Sequence, residues 1–117
     1  MNVYISADME GISGIAAWLQ ADETGRDYAT ARLWMTEEVN AAVEGAIRGG
    51  ATGVLVKDSH ETGVNILLDK LHPAAELITG WGPLRSMVEG VDDTFDAVML
   101  VGYHARGMTV GGTLAHT

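Results

Sequence analysis

Two carboxylates stand two residues apart near the start of this chain, in the stretch Ser6-Ala7-Asp8-Met9-Glu10-Gly11. In extended backbone, residues i and i+2 point to the same side, about 6.6 Å apart along the chain. That spacing lets Asp8 and Glu10 reach one or two cations together. Two further sites of the same kind follow. Asp58, Ser59 and His60 come directly after the apolar run Val54-Leu55-Val56, and Tyr103 and His104 come directly after Ala97–Gly102. Mixed carboxylate and imidazole ligands favour zinc, manganese, iron or cobalt over calcium and magnesium, which prefer oxygen alone. Zinc is the expected ion for hydrolysis at neutral pH, since it lowers the pKa of bound water to ~7.

The elements that carry these residues follow from the apolar pattern. Residues 2–7 read as a strand rich in β-formers. Residues 11–26 read as loop. Asp27 reads as the N-cap of a helix reaching Arg48. Met35, Val39, Ala42, Val43, Ala46 and Ile47 form a stripe at spacings of three and four, and Gly49-Gly50 ends it. A second strand runs over Gly53–Lys57 and another over Ala97–Gly102. Residues 64–71 read as a short helix closed by His72-Pro73, 76–79 as a strand, and 83–88 as a helical turn. Strands with continuous apolar runs, separated by helices, predict a three-layer α/β domain: a mostly parallel sheet with helices on both faces. In such a sheet, ligands bind outside the carboxyl ends of the strands. Asp8, Glu10, His60 and His104 all fall there.

Composition narrows the partners. The chain has 117 residues, enough for one domain, and no cysteine, which removes disulfides, thiolate metal sites and a Cys nucleophile. The net charge of −9 opposes nucleic acid and anionic membrane and favours a cation. No apolar run approaches the ~18 residues of a membrane span and no leader is evident, so a cytoplasmic location is expected. The Gly-rich dinucleotide and P-loop motifs, G-x-S-x-G and H-E-x-x-H are all absent. Other polar residues have ordinary roles open to them. Asp58 could orient a histidine ligand or cap a turn. His72 precedes Pro73 and reads as structural. Asp92, Asp93 and Asp96 make an acidic turn without the spacing of a calcium loop. Arg106 could bind a substrate carboxylate, or simply form a surface ion pair. His116 lies in a glycine-rich tail, "GMTVGGTLAHT", which reads as a domain cut short.

The ordered set "SADMEGISG", "MTEEVNAA", "VKDSH", "LHP", "SMVEGVDDTFDAVMLVGYHAR" and "AHT" resembles the zinc-dependent D-aminopeptidase family associated with bacterial dipeptide-transport operons. The resemblance runs the length of the chain. It implies a bridged pair of zinc ions: one held by Asp8, Glu10 and His60, the other by Asp8 and His104, with Asp8 shared. It implies a catalytic role for His116 as base, acid or nucleophile. It also implies that the second ion takes a glutamate from beyond residue 117, so the chain resembles the N-terminal metal-binding part of the family unit. The implied activity removes the N-terminal residue from short D-amino-acid peptides such as D-alanyl peptides. The implied assembly is a homo-oligomer of stacked pentameric rings. Two rivals remain: another metal-dependent hydrolase on the same scaffold (a phosphoesterase or amidohydrolase), or a non-catalytic metal-binding homologue.

Overall fold

Four parallel strands make the sheet: β1 (Asn2–Ala7), β2 (Gly53–Asp58), β3 (Ala75–Ile78) and β4 (Ala97–Val101), in the order β3-β2-β1-β4. A computed structural model describes all of residues 1–117. Between β1 and β2 lie a single helical turn, α1 (Trp18–Ala21), and the long helix α2 (Tyr28–Arg48). The expected α/β fold with a parallel sheet is what the chain adopts. No helix is long and apolar enough to cross a membrane.

The register explains the layering. Val3 pairs with Val54 and Ala97, and Ile5 with Val56 and Met99, so these side chains share one face. The 3.6-residue stripe of α2 lies over that face. Met35, Val39 and Val43 are buried with Val3, Ile5, Val54 and Val56 in one cluster. Burying side chains of this size stabilises the fold by roughly 1.5–3 kcal/mol each. The central strand β1 is therefore held on both edges and on this face.

The other face carries Tyr4, Ser6 and Lys57, all fully buried. It is covered by the segment after β3, whose one helical turn is a 3-10 turn at Ser86–Val88. Tyr4 reaches this cover by donating to the Glu89 carbonyl at 2.7 Å and by packing edge-on against Phe95. The cover stops short of β4, where Val98 and Leu100 remain 52% and 59% exposed.

Two local expectations change. Residues 64–71 form turns and not a helix. The buried Asp58 carboxylate accepts from the backbone N–H of Asn65 and of Ile66, and Thr36 Oγ1 accepts from that of Leu67. Those bonds tie the start of the segment to β2 and α2, and within it only the Lys70 and Leu71 N–H groups find a backbone partner, the Leu67 carbonyl, which makes a turn and not a helix. The region 11–26 is not wholly irregular, because it holds α1. Gln20 builds that turn, its Oε1 accepting from Ala16 and Ala17 and its Nε2 donating to the Gly14 carbonyl.

Candidate metal centre

The carboxyl ends of β1, β2 and β4 bring Asp8, Glu10, His60 and His104 together, as their positions predicted. They line a cleft of about 190 Å³ with Ser59, Glu61, Trp81, Met87, His116 and Thr117. Asp8, Glu10 and His60 are almost completely buried.

Each imidazole has one nitrogen held by the backbone and the other turned to a carboxylate. His60 Nε2 lies 2.7 Å from the Ala21 carbonyl at the end of α1. A carbonyl only accepts, so Nε2 carries a proton and Nδ1 is the coordinating atom. That Nδ1 lies 3.3 Å from both Asp8 Oδ1 and Glu10 Oε2. His104 Nδ1 is 2.7 Å from the Ala105 carbonyl, and its Nε2 faces Asp8 Oδ2 at 3.6 Å. His116 Nδ1 is 2.7 Å from the Leu114 carbonyl, and its Nε2 faces Glu10 Oε1 at 3.6 Å. Each carboxylate thus spans two imidazoles: Asp8 lies between His60 and His104, Glu10 between His60 and His116.

This donor set fits zinc. A tetrahedral ion with bonds of about 2.0–2.1 Å has ligand-to-ligand edges of about 3.3–3.4 Å, and His60 Nδ1 stands at 3.3 Å from each carboxylate. Asp8 Oδ2 and Glu10 Oε2 are buried oxygens with no hydrogen-bond partner. Such orphans are costly unless a cation or proton neutralises them. Two groups of three ligand atoms lie mutually within 4.8 Å: Asp8, Glu10 and His60, and Glu10, His104 and His116. The first is the group read from the resemblance. The second contains Glu10 where the resemblance places Asp8, although Asp8 Oδ2 also faces His104.

The electrostatics carry the same mark. Burial pushes the Asp8 carboxyl up, reinforced by the Glu10 charge and offset only in part by His60. Burial would raise Glu10 too, but the nearby His60 imidazole outweighs it and holds that carboxyl at about 2. Burial would lower His60, yet the two carboxylates overcome it and lift the imidazole to about 10. In the metal-free chain a proton on His60 Nδ1 therefore stands where a cation would sit.

The tail that carries His116 is fixed. A parallel bridge joins Arg106 to His116, and the Gly107 N–H donates to the Thr117 carbonyl at 2.9 Å. The His116 ring stacks on His104 and meets the edge of Trp18. Arg106 supplies only backbone here. Its side chain is exposed and lies outside the cleft lining.

The remaining candidates are structural. Asp58 does not touch His60; Asn65 Nδ2 lies between them, donating to Asp58 Oδ1 and to the His60 carbonyl. The His72 N–H donates to Asn40 Oδ1, and its Nδ1 accepts from Ala74. Asp92 accepts from Thr94 within its own turn, and Asp96 Oδ2 from the Asn2 N–H. Sequence reasoning missed Trp81 and Met87 as cleft walls and the Ala21 carbonyl that sets the His60 tautomer. Trp81 lies in irregular backbone, Met87 in a lone 3-10 turn, and a backbone acceptor leaves no residue-type signal.

A family model described as D-aminopeptidase matches residues 1–117. The chain belongs to the D-aminopeptidase family. A D-aminopeptidase of Bacillus subtilis (strain 168) is 49% identical over 111 residues, covering 95% of this chain and 40% of that protein. The solved structure of the Zn-dependent D-aminopeptidase DppA from Bacillus subtilis, described as a self-compartmentalizing protease, superposes with a TM-score of 0.96 at 47% identity. It covers 100% of this chain and 42% of that one. The chain thus spans about two fifths of each relative, and the shared part of the family fold includes the whole candidate metal centre.

Proposed function

We propose that this chain is the metal-binding part of a zinc aminopeptidase that removes the N-terminal residue from short D-amino-acid peptides such as D-alanyl peptides. The observation that carries this reading is the convergence of three backbone-anchored imidazoles on two buried carboxylates with unpartnered oxygens. Asp8, Glu10 and His60 would hold one zinc ion. Asp8, Glu10 and His104 would offer donors to a second. Zinc, when bound, supplies Lewis acidity toward the peptide carbonyl and lowers the pKa of water.

The chain's own residues supply the rest. Asp8 and Glu10 place negative charge where the free α-ammonium of a peptide would enter. Trp81 and Met87 give the cleft apolar walls that exclude water from one side. His116, with Nδ1 tied to the Leu114 carbonyl, presents Nε2 to the cleft as proton carrier. It accepts a proton from the attacking water and returns it to the leaving nitrogen, as a C–O bond forms and the C–N bond breaks. Self-association into a closed compartment, as DppA is described to have, belongs to the same proposal, as does a cytoplasmic location.

The test is zinc per chain, measured by elemental analysis on protein purified without chelator. A panel of D-alanyl peptides, L-alanyl peptides and phosphate esters accompanies it. At least one zinc equivalent, at Asp8, Glu10 and His60, is expected; a second one with turnover of D-peptides requires water, His116 or a neighbouring chain in place of the glutamate that the resemblance puts beyond residue 117. A folded, zinc-free chain would overturn the metal centre. Turnover of phosphate esters alone would move the chain to the rival hydrolase class.

One observation favours a second reading of one residue. His116 shares a three-ligand group with Glu10 and His104, so it could hold the second ion itself and carry no proton. His116→Ala then loses one zinc equivalent, whereas a proton carrier loses turnover at unchanged zinc content.

A further inference from the structure

Three hydroxyls lie directly behind three of the metal-centre residues, each one or two positions upstream in sequence. Ser6 precedes Asp8 at the end of β1, Ser59 precedes His60 after β2, and Tyr103 precedes His104 after β4. All three meet at one point. Ser6 Oγ is 2.8 Å from Ser59 Oγ and 2.7 Å from Tyr103 Oη. Ser6 and Ser59 also approach a single carbonyl, that of Met87, at 2.5 and 2.6 Å. Both serines are buried.

The ladder of sheet hydrogen bonds is running out at this level. The last paired positions are Ala7 with Asp58 and Ala7 with Val101. Beyond them, single backbone bonds continue from Asp8 N–H to the Val101 carbonyl and from Ser59 N–H to the Ala7 carbonyl. These fix the strand ends mainly within the plane of the sheet. The hydroxyl cluster joins the same three ends on the face opposite α2 and ties them to the 3-10 turn. Ser86, at the start of that turn, has a left-handed backbone with φ 51°, a conformation uncommon for a non-glycine residue. The turn it begins delivers the Met87 carbonyl to both serines.

Proton accounting shows that the cluster acts as a unit. Three hydroxyl protons serve five O···O approaches, counting a long one of 3.4 Å from Ser59 Oγ to the Lys57 carbonyl, so the protons are shared and removing one hydroxyl reassigns the others. Nothing in the proposed reaction uses these groups.

We propose that Ser6, Ser59 and Tyr103, gathered on the Met87 carbonyl, are positioning residues that set the relative placement of Asp8, His60 and His104 for metal. The inference rests on the metal-centre reading and extends it to residues that touch no ion. Partners behind metal ligands typically govern affinity by ten- to a hundredfold.

The experiment measures zinc affinity of the full 117-residue chain by competition with a chromophoric chelator. The variants are Ser6→Ala, Tyr103→Phe and the pair. Asn40→Ala is the control, because it removes hydrogen bonds to Lys70 and His72 far from the cleft. Each single change is expected to weaken zinc binding by about ten- to a hundredfold. The pair should weaken it by less than the product, because both changes break one shared cluster. Asn40→Ala should lower the melting temperature and leave affinity unchanged. Tyr103→Phe removes one oxygen at a half-buried position, so it keeps the test open if Ser6→Ala does not fold. Folded variants that bind zinc as the unsubstituted chain does would overturn the proposal. An unsubstituted chain that takes up no zinc would overturn the metal centre itself, and this inference with it.

Discussion

His104 and His116 stack with ring centroids 3.7 Å apart and planes inclined by 20°, yet their Nε2 atoms serve different carboxylates, Asp8 and Glu10. The two proposed roles make different predictions. His104→Ala is expected to lower zinc content by one equivalent. His116→Ala is expected to keep zinc content and lower turnover by about 10²- to 10⁴-fold, the usual contribution of a positioned proton carrier. Elemental analysis beside a D-alanyl peptide assay reads both. Identical zinc content in the two variants and the parent would remove His104 from the metal centre.

The metal-free chain has a predictable pH profile. His60 rises from 6.5 to about 10 on folding, so its contribution is fully present below pH 6.5 and is lost as pH climbs toward 10. Glu10 falls from 4.5 to about 2, so its contribution is present above pH 4.5 and is lost as pH drops toward 2. The chelator-treated protein should therefore melt highest at about pH 5–6 and lose stability from about pH 7 to 9. Zinc reverses the alkaline trend, because its binding displaces the His60 Nδ1 proton and its affinity rises about tenfold per pH unit for one proton released. Thermal melts at stepped pH, with chelator and with excess zinc, check both limbs. A flat metal-free profile above pH 6.5 would contradict the assignment of that proton.

The two carboxylates should respond oppositely to neutralisation. Burial and the Glu10 charge penalise ionised Asp8, whereas His60 favours ionised Glu10. At neutral pH, Asp8→Asn is expected to raise the metal-free midpoint, and Glu10→Gln to lower it, each by about 4 °C or ~1 kcal/mol. Asp8→Asn should also abolish binding of both ions, since its two oxygens face His60 and His104. Calorimetry and zinc analysis of the same samples decide this. A stabilised variant that still binds two zinc ions would sink the shared role of Asp8.

Asp58 should behave as a structural residue. Its carboxylate accepts from the Asn65 N–H at 2.6 Å, the Ile66 N–H at 2.7 Å and Asn65 Nδ2 at 2.9 Å. Asp58→Ala leaves these buried donors unpaired and is expected to cost about 3 kcal/mol. Zinc affinity of the folded fraction should change less than threefold. Denaturant melts and chelator competition separate the two effects.

Much of this was legible in the sequence, for physical reasons particular to each element. The runs Val54-Leu55-Val56 and Ala97–Gly102 announce strands, although the second leaves Val98 and Leu100 exposed at the sheet edge. The three-and-four spacing of Met35, Val39, Val43 and Ala46 announces α2, and the residues after each strand announce the site. The segment 64–71 was not legible, because its form is imposed by Asp58 and Thr36, which approach it from β2 and α2. His116 looked like part of a loose tail because a lone bridge to Arg106 has no periodic signature. Lys57 ends the apolar strand with a charge, and nothing in its type or position signals where that charge goes. It is fully buried, with its ammonium donating to the Asp58 carbonyl and lying over the Trp81 ring.

The candidate ligands come from the chain at 8, 10, 60, 104 and 116. No local segment holds a complete ligand set, so zinc cannot template an early step of folding. The strands must first pair across separations of about fifty to a hundred residues, the slow, non-local part of the process. An ion that enters only the finished cleft stabilises contacts absent from the transition state, and such stabilisation acts on the unfolding rate alone. Zinc should therefore behave as a latch: refolding proceeds at the same speed with or without it, while the lifetime of the native chain lengthens in inverse proportion to its metal-free fraction.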